Sequence, residues 1–257
     1  MKKMLKSILA ISLVAVMVLA FAGCGDKGGD KLIMATNAEF PPFEFIAADG
    51  NGVCGEFDGI DVVIASEIAK DMGVELAVSN MDFNSIIPAV KSGKADIGIA
   101  GMTVKPDRLE NVDFSTPYWV AVQTIIIKED NAAITNVETL KGKKVGVVTG
   151  YTGDLTLSEI DGIDLARYQK GIDAVQDVIN GKLDAAVIDS PTAASFIAKN
   201  PGLKGVTDDT VFEKEEYAVA IQKGNKELLD KVNATIERLN ADGKIGEIAS
   251  EVEGRLN

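Results

Sequence analysis

Four short stretches of the sequence place polar groups where a small charged molecule can be held. In Ala100-Gly-Met-Thr-Val-Lys-Pro-Asp-Arg108, Gly101 permits close backbone approach and Thr103 adds a hydroxyl. Arg108 offers a rigid planar fork that grips a carboxylate through two parallel charge-assisted bonds. Taken alone, an arginine after a turn reads as a solvated surface residue. Thr149-Gly-Tyr-Thr-Gly-Asp154, with Tyr151 and Thr152 at its centre, suits an anion held by backbone N–H groups. It has neither the Gly-Lys-Ser/Thr of a P-loop nor the three-glycine spacing of a dinucleotide site. Ile188-Asp-Ser-Pro191 sets Asp189 after an apolar run, where it can take an ammonium or cap the next helix. Asn37-Ala-Glu-Phe-Pro-Pro-Phe43 joins Asn37 and Glu39 to Phe40 and Phe43, as polar handles beside aromatic faces or as turn residues with two core rings.

Composition narrows what such sites can serve. The 26 Lys and Arg face 39 Asp and Glu, a formal charge of -13. Residues 1–23 hold Lys2, Lys3 and Lys6 but no acid, so without them the balance is -16. That surface repels nucleic-acid backbones, so no nucleic-acid partner is expected. Histidine is absent, which removes imidazole bases and histidine-ligated metals. No metal site and no cofactor are expected.

The elements that must position these loops follow the hydrophobic pattern. Lys31–Thr36 reads as a strand, and Pro41 and Pro42 end regular structure after it. Ile60, Val63, Ile64, Glu67, Ile68 and Met72 fall at helical spacing, with Gly73 as a stop. Val74–Val78 is a strand, Phe83–Val90 begins a helix ending near Gly93, and Ala95–Ala100 is the next strand. The pattern restarts at strand Lys144–Thr149. Val90-Lys-Ser-Gly-Lys-Ala-Asp96 and Val178-Ile-Asn-Gly-Lys-Leu-Asp184 share four of seven residues at an offset of 88. Each copy joins a helix to a strand, Ala185–Ile188 in the second case, which points to two similar α/β lobes with mostly parallel sheets. The β-rich runs Gln123–Lys128 and Tyr217–Ile221 are the expected crossings, giving lobe 1 as 31–121 with 217–257 and lobe 2 as 122–216. Asn225–Asn240 is a helix capped by Asn225, and a second short helix follows Gly243. Ligands bind beyond the carboxyl ends of such parallel strands, where the four loops fall.

The chain begins with a basic stretch, Met1–Lys6, an apolar run, Ile8–Ala22, and the junction Gly23-Cys24. These features make 1–23 a signal peptide. Gly-Cys resembles the bacterial lipoprotein signal, which implies a lipidated (palmitate-bearing) Cys24 as mature N-terminus and a flexible tether over 24–30. Cys54 is then the single remaining cysteine, read as an unreactive thiol.

Longer motifs carry a broader resemblance. Gly59-Ile-Asp-Val-Val-Ile-Ala65, the run Ile87–Asp96, Met102–Arg108 and Val112-Asp-Phe-Ser-Thr-Pro-Tyr118 resemble the polar amino acid-binding proteins of ABC transporters, extracellular solute-binding family 3. The resemblance spans about 31–250. It implies a two-lobed, hinged periplasmic-binding-protein-like type II fold that closes on one amino acid and delivers it to a membrane permease. It further implies that Arg108 grips the α-carboxylate, aided by Thr103 and Thr152, while Asp189 and the Gly101 backbone take the α-ammonium. Phe40 and Phe83 would sandwich the side chain. Members binding basic side chains often have Asp where this chain has Asn37; an inward Glu39 would replace that charge, and Tyr151 would narrow the pocket or cover its rim.

The expectation is therefore an exported, outward-facing or periplasm-facing, lipid-anchored monomer that binds arginine or glutamine. The rival readings are a lyase or dehydratase on the same fold and an amino-acid sensor. Without a nucleophile–base arrangement, no enzyme is expected.

Overall fold

A computed structural model of the chain describes residues 30–256. The expected leader, Cys24 and the tether up to residue 29 lie outside the described residues. The first α/β unit runs β1 (Lys31–Thr36), β2 (Glu39–Phe40), β3 (Glu44–Ile46), β4 (Phe57–Asp58), α1 (Ile60–Met72), β5 (Glu75–Asn80), α2 (Phe83–Lys91), β6 (Ile97–Gly98), α3 (Pro106–Leu109) and β7 (Val112–Phe114). After β8 (Trp119–Ala121) comes the second unit. It consists of β9 (Gln123–Lys128), β10 (Lys144–Val148), α4 (Thr152–Ser158), β11 (Asp164–Tyr168), α5 (Gly171–Ile179), β12 (Ala185–Asp189), α6 (Ser190–Lys199) and β13 (Leu203–Val206). The chain ends with β14 (Glu215–Tyr217), β15 (Ala220–Gln222), α7 (Lys226–Ala241) and α8 (Lys244–Leu256).

Two five-stranded mixed sheets result, ordered β5-β1-β6-β15-β7 and β11-β10-β12-β9-β13. In each, three strands are parallel, and the fourth enters antiparallel between the third and the last. The repeated motif explains part of this likeness. Asp96 accepts the backbone N–H of Ile33 at 2.7 Å, and Asp184 accepts that of Lys144 at 2.9 Å. Each copy thus ends a helix and pins the strand that stands second in the order of its own sheet, β1 or β10.

The crossings differ from the expectation. The run from Gln123 is β9, inside the second sheet, and the run from Tyr217 starts on the last residue of β14 before entering β15 of the first sheet. The lobes are joined by β8 and β14, a separate antiparallel pair with Ala121 opposite Glu215 and Trp119 opposite Tyr217. Elsewhere the differences are of length. Strand β6 keeps two residues of the expected Ala95–Ala100, although bonds from Asp96 N to Ile33 O (2.9 Å) and Ile99 N to Ala35 O (3.1 Å) continue its contact with β1. The last helix, α8, is 13 residues long rather than short. Asn225 caps α7 as expected, accepting the N–H of Leu228 at 3.2 Å.

Candidate ligand-binding site

Between the lobes lies a small, nearly closed cavity lined by Phe40, Phe83, Ala100, Gly101, Thr103, Arg108, Tyr151, Thr152 and Asp189. Sequence order brings them there in a simple way. Gly101 and Thr103 follow β6, and Arg108 sits on α3, which starts at Pro106, where a missing N–H costs nothing. Thr152 opens α4 after β10, and Asp189 ends β12. Gly101 has φ +52°, and a Cβ there would lie 2.5 Å from the Phe40 ring, so glycine lets the ring close over the loop. Its N–H donates to Asp61 Oδ2 at 2.8 Å.

Opposite charges stand on opposite lobes. Arg108 is 6% exposed; its Nη1 donates to the Thr103 carbonyl at 2.9 Å and its Nη2 to the Gly150 carbonyl, across the cleft, at 3.3 Å. The guanidinium lies over the Phe83 ring, 5.1 Å from its centroid. Asp189 is 3% exposed and accepts the Tyr217 hydroxyl. Tyr151 forms an aromatic wall, 4.7 Å from Phe83 and 5.4 Å from Phe40 between centroids. The Thr103 hydroxyl lies 3.3 Å from that of Thr152 and donates to Glu215 at 2.7 Å.

Two expected residues are placed differently from the rest. Glu39 turns to the rim, where it pairs with Lys170 at 2.6 Å. A hydrogen bond to a lysine half in water leaves that carboxylate outside the cavity. Asn37 is buried, but its amide is engaged, donating to the Met81 carbonyl and accepting the Tyr151 hydroxyl, each at 3.0 Å.

The fold and this cleft agree with what the chain resembles. Residues 32–252 match the bacterial extracellular solute-binding proteins, family 3. The chain belongs to that family. A probable histidine-binding protein of Neisseria gonorrhoeae is 32% identical, covering 96% of this chain and 94% of the relative. The arginine-binding extracellular protein ArtP of Bacillus subtilis is 34% identical, with 94% and 95% covered. The structure of the amino acid ABC transporter substrate-binding protein AbpA of Streptococcus pneumoniae, bound to L-arginine, superposes with a TM-score of 0.82 at 32% identity, covering 88% of this chain and 95% of that one. Like these family 3 proteins, the chain is a two-lobed binding protein rather than an enzyme.

In this family 3 member the cleft is backed by carboxyl groups that sequence reading did not single out as site residues. Glu44 and Asp61 are fully buried and face one another, and among the described residues no donor makes a hydrogen bond to either oxygen of Glu44. Burial, and then the neighbouring Asp61, hold the Glu44 carboxyl well above its usual range. Asp61 rises to about 6 through burial, held back by the Gly101 N–H and the Tyr118 hydroxyl. Glu44 had a legible signal, an acid between Phe43 and Phe45 in a short strand. Glu215, 5% exposed, had none, because Glu213-Lys-Glu-Glu216 reads as a solvated charge run.

Asp189 carries a testable pH dependence. Burial, then the charge of Glu215, raises it to about 7. Were a ligand ammonium to sit beside Asp189, it would favour the ionised form, and binding below pH 7 would expel a proton. Amino-acid affinity should fall by up to about tenfold per pH unit below 7, the limit for one linked proton. The unliganded protein has the opposite dependence. A raised folded-state pKa contributes stability that is present below about pH 4 and lost as pH rises through about 7. Calorimetry between pH 5.5 and 8.5 tests the first expectation; a flat affinity across that range contradicts it.

Proposed function

We propose that this protein is an extracytoplasmic receptor that binds one free polar L-α-amino acid by closing its lobes, with arginine ahead of glutamine, and presents it to a membrane ABC permease. The lobes are taken as 31–121 with 217–257, and 122–216. One observation carries the reading: buried Arg108 and buried Asp189 line the same cavity from different lobes. A zwitterion supplies a carboxylate for one and an ammonium for the other, so neither charge stays buried and alone. Phe40 and Phe83 are placed to hold an extended stem.

Charge favours arginine over glutamine. The carboxyls of Glu44, Asp61, Asp189 and Glu215 are buried near one guanidinium, Arg108, and burial makes those of Glu44, Asp61 and Asp189 hold their protons above the usual range, so this excess of acids ionises most readily beside a further cation. Glu44 takes the part first given to Glu39, since its carboxyl lies near enough to Tyr151 and Asp189, both on the cavity wall, to interact with them electrostatically. A ligand bearing a second cation offsets this excess; a neutral amide does not.

Thermal-shift screening against the twenty amino acids, ornithine and cystine, after unfolding and refolding to strip carried-over ligand, tests the proposal. Arginine should give the largest shift, and scattering should show a smaller radius of gyration with it bound. No shift with any of these compounds would sink the reading, and binding without compaction would remove lobe closure. We further propose that Cys24 is lipidated and anchors the receptor to the outer face of the membrane. Recovering mature protein with an unmodified N-terminus upstream of Cys24 in its intact mass counts against that anchor.

A further inference from the structure

We infer that Glu215, on the hinge strand β14, is a positioning residue that sets which way the Thr103 hydroxyl bonds and so makes Thr103 an acceptor for the ligand ammonium. The inference rests on the amino-acid reading above and assigns a role to a residue outside the cavity lining. Threonine has one hydroxyl proton and two lone pairs. That proton goes to Glu215 Oε2 at 2.7 Å. Thr152 must then be the donor in the 3.3 Å contact between the two threonine hydroxyls. What Thr103 retains for the cavity is a lone pair, which repels a carboxylate and accepts from an ammonium. This reverses the partner first expected for its side chain, and leaves the carboxylate to Arg108.

The other oxygen of Glu215 accepts Gln123 Nε2 at 2.8 Å. Gln123 lies opposite Asp189 in the β9–β12 ladder. One hinge carboxylate therefore holds the lobe-1 acceptor, Thr103, and the strand neighbour of the lobe-2 acceptor, Asp189. The backbone reinforces the arrangement. Val104 N donates to Glu216 O at 2.9 Å and Ala218 N to Met102 O at 3.1 Å, so the Thr103 loop is bound to β14 on both sides. Rotation of the hinge strand turns this acceptor with it.

Glu215→Gln keeps the shape but presents an amide N–H that can donate to Thr103, turning the threonine proton into the cavity against the ammonium. Affinity should fall about ten- to a hundredfold, the scale of a buried polar group left mismatched. Because the effect runs through Thr103, a cycle of Thr103→Val, Glu215→Gln and the double variant should be non-additive, with the double losing scarcely more than Thr103→Val. Calorimetry with L-arginine and L-glutamine reads this out. Circular dichroism checks folding, and Thr103→Ser, which keeps the hydroxyl, should bind like the wild type. Multiplicative losses, or an unchanged Glu215→Gln, would overturn the inference. Should Glu215→Gln not fold, Thr103→Val binding as well as Thr103→Ser would overturn it instead. Failure of wild type to bind either amino acid would remove the underlying reading, a result distinct from binding with additive losses.

Discussion

Replacing Arg108 with alanine is expected to abolish tight amino-acid binding while the protein stays folded. A buried charge-assisted pair that loses one partner commonly costs about 2–5 kcal/mol, or roughly thirtyfold to several-thousandfold in affinity. Arg108 is 6% exposed, and its guanidinium is held over Phe83 and bonded to the carbonyls of Thr103 and Gly150. The fork is therefore oriented before a ligand arrives, and little of the binding energy is spent on ordering it. Arg108→Lys should recover only part of the loss, because an ammonium cannot make two parallel bonds to one carboxylate. Calorimetry on the wild type and both variants decides the matter. A change below about threefold for Arg108→Ala would mean that the carboxylate is held elsewhere.

The second large effect is one of selectivity. Glu44→Gln should lower arginine affinity by about thirtyfold or more, within the range for an unpaired buried charge, and should alter glutamine affinity by less than about threefold. The reason is that Glu44 is fully buried with no donor among the described residues on either oxygen, whereas Asp61 already serves the Gly101 N–H and the Tyr118 hydroxyl. Burial keeps the Glu44 carboxyl protonated until a cation arrives, and an amide at position 44 cannot ionise to meet a guanidinium, while it leaves the contacts proposed for Arg108 and Asp189 in place. Equal losses for both ligands would assign Glu44 to packing alone.

The parts of this molecule that were legible in the sequence are those with a strong period or a tight loop chemistry. Helix α1 could be read because Ile60, Ile64 and Ile68 recur on one face and are wholly buried. Arg108 could be placed because Pro106 starts its helix, and Asp189 because it ends a buried run, β12. The pairing of the two hinge strands could not. Strands β8 and β14 are three residues each, and Val120 between Trp119 and Ala121 is 54% exposed, too short a stretch for alternation to register. Glu39 leaves its expected place for a similar reason. It meets a lysine from the other lobe, a partner 131 positions away that no local pattern announces.

The order of strands in the first sheet has a consequence for how the chain is completed during synthesis. Strand β7 is joined to that sheet only through β15, which lies between it and β6 and comes from residues 220–222. The second sheet draws every strand from one continuous stretch, 123–206. A chain emerging from its N-terminus can therefore assemble the later sheet while the earlier one still has a gap beside β6. Arg108 and Thr103 hang from the edge of that gap, and Tyr217, which holds Asp189, emerges just ahead of the strand that fills it. Both halves of the cleft thus depend for their final form on the short stretch 215–222.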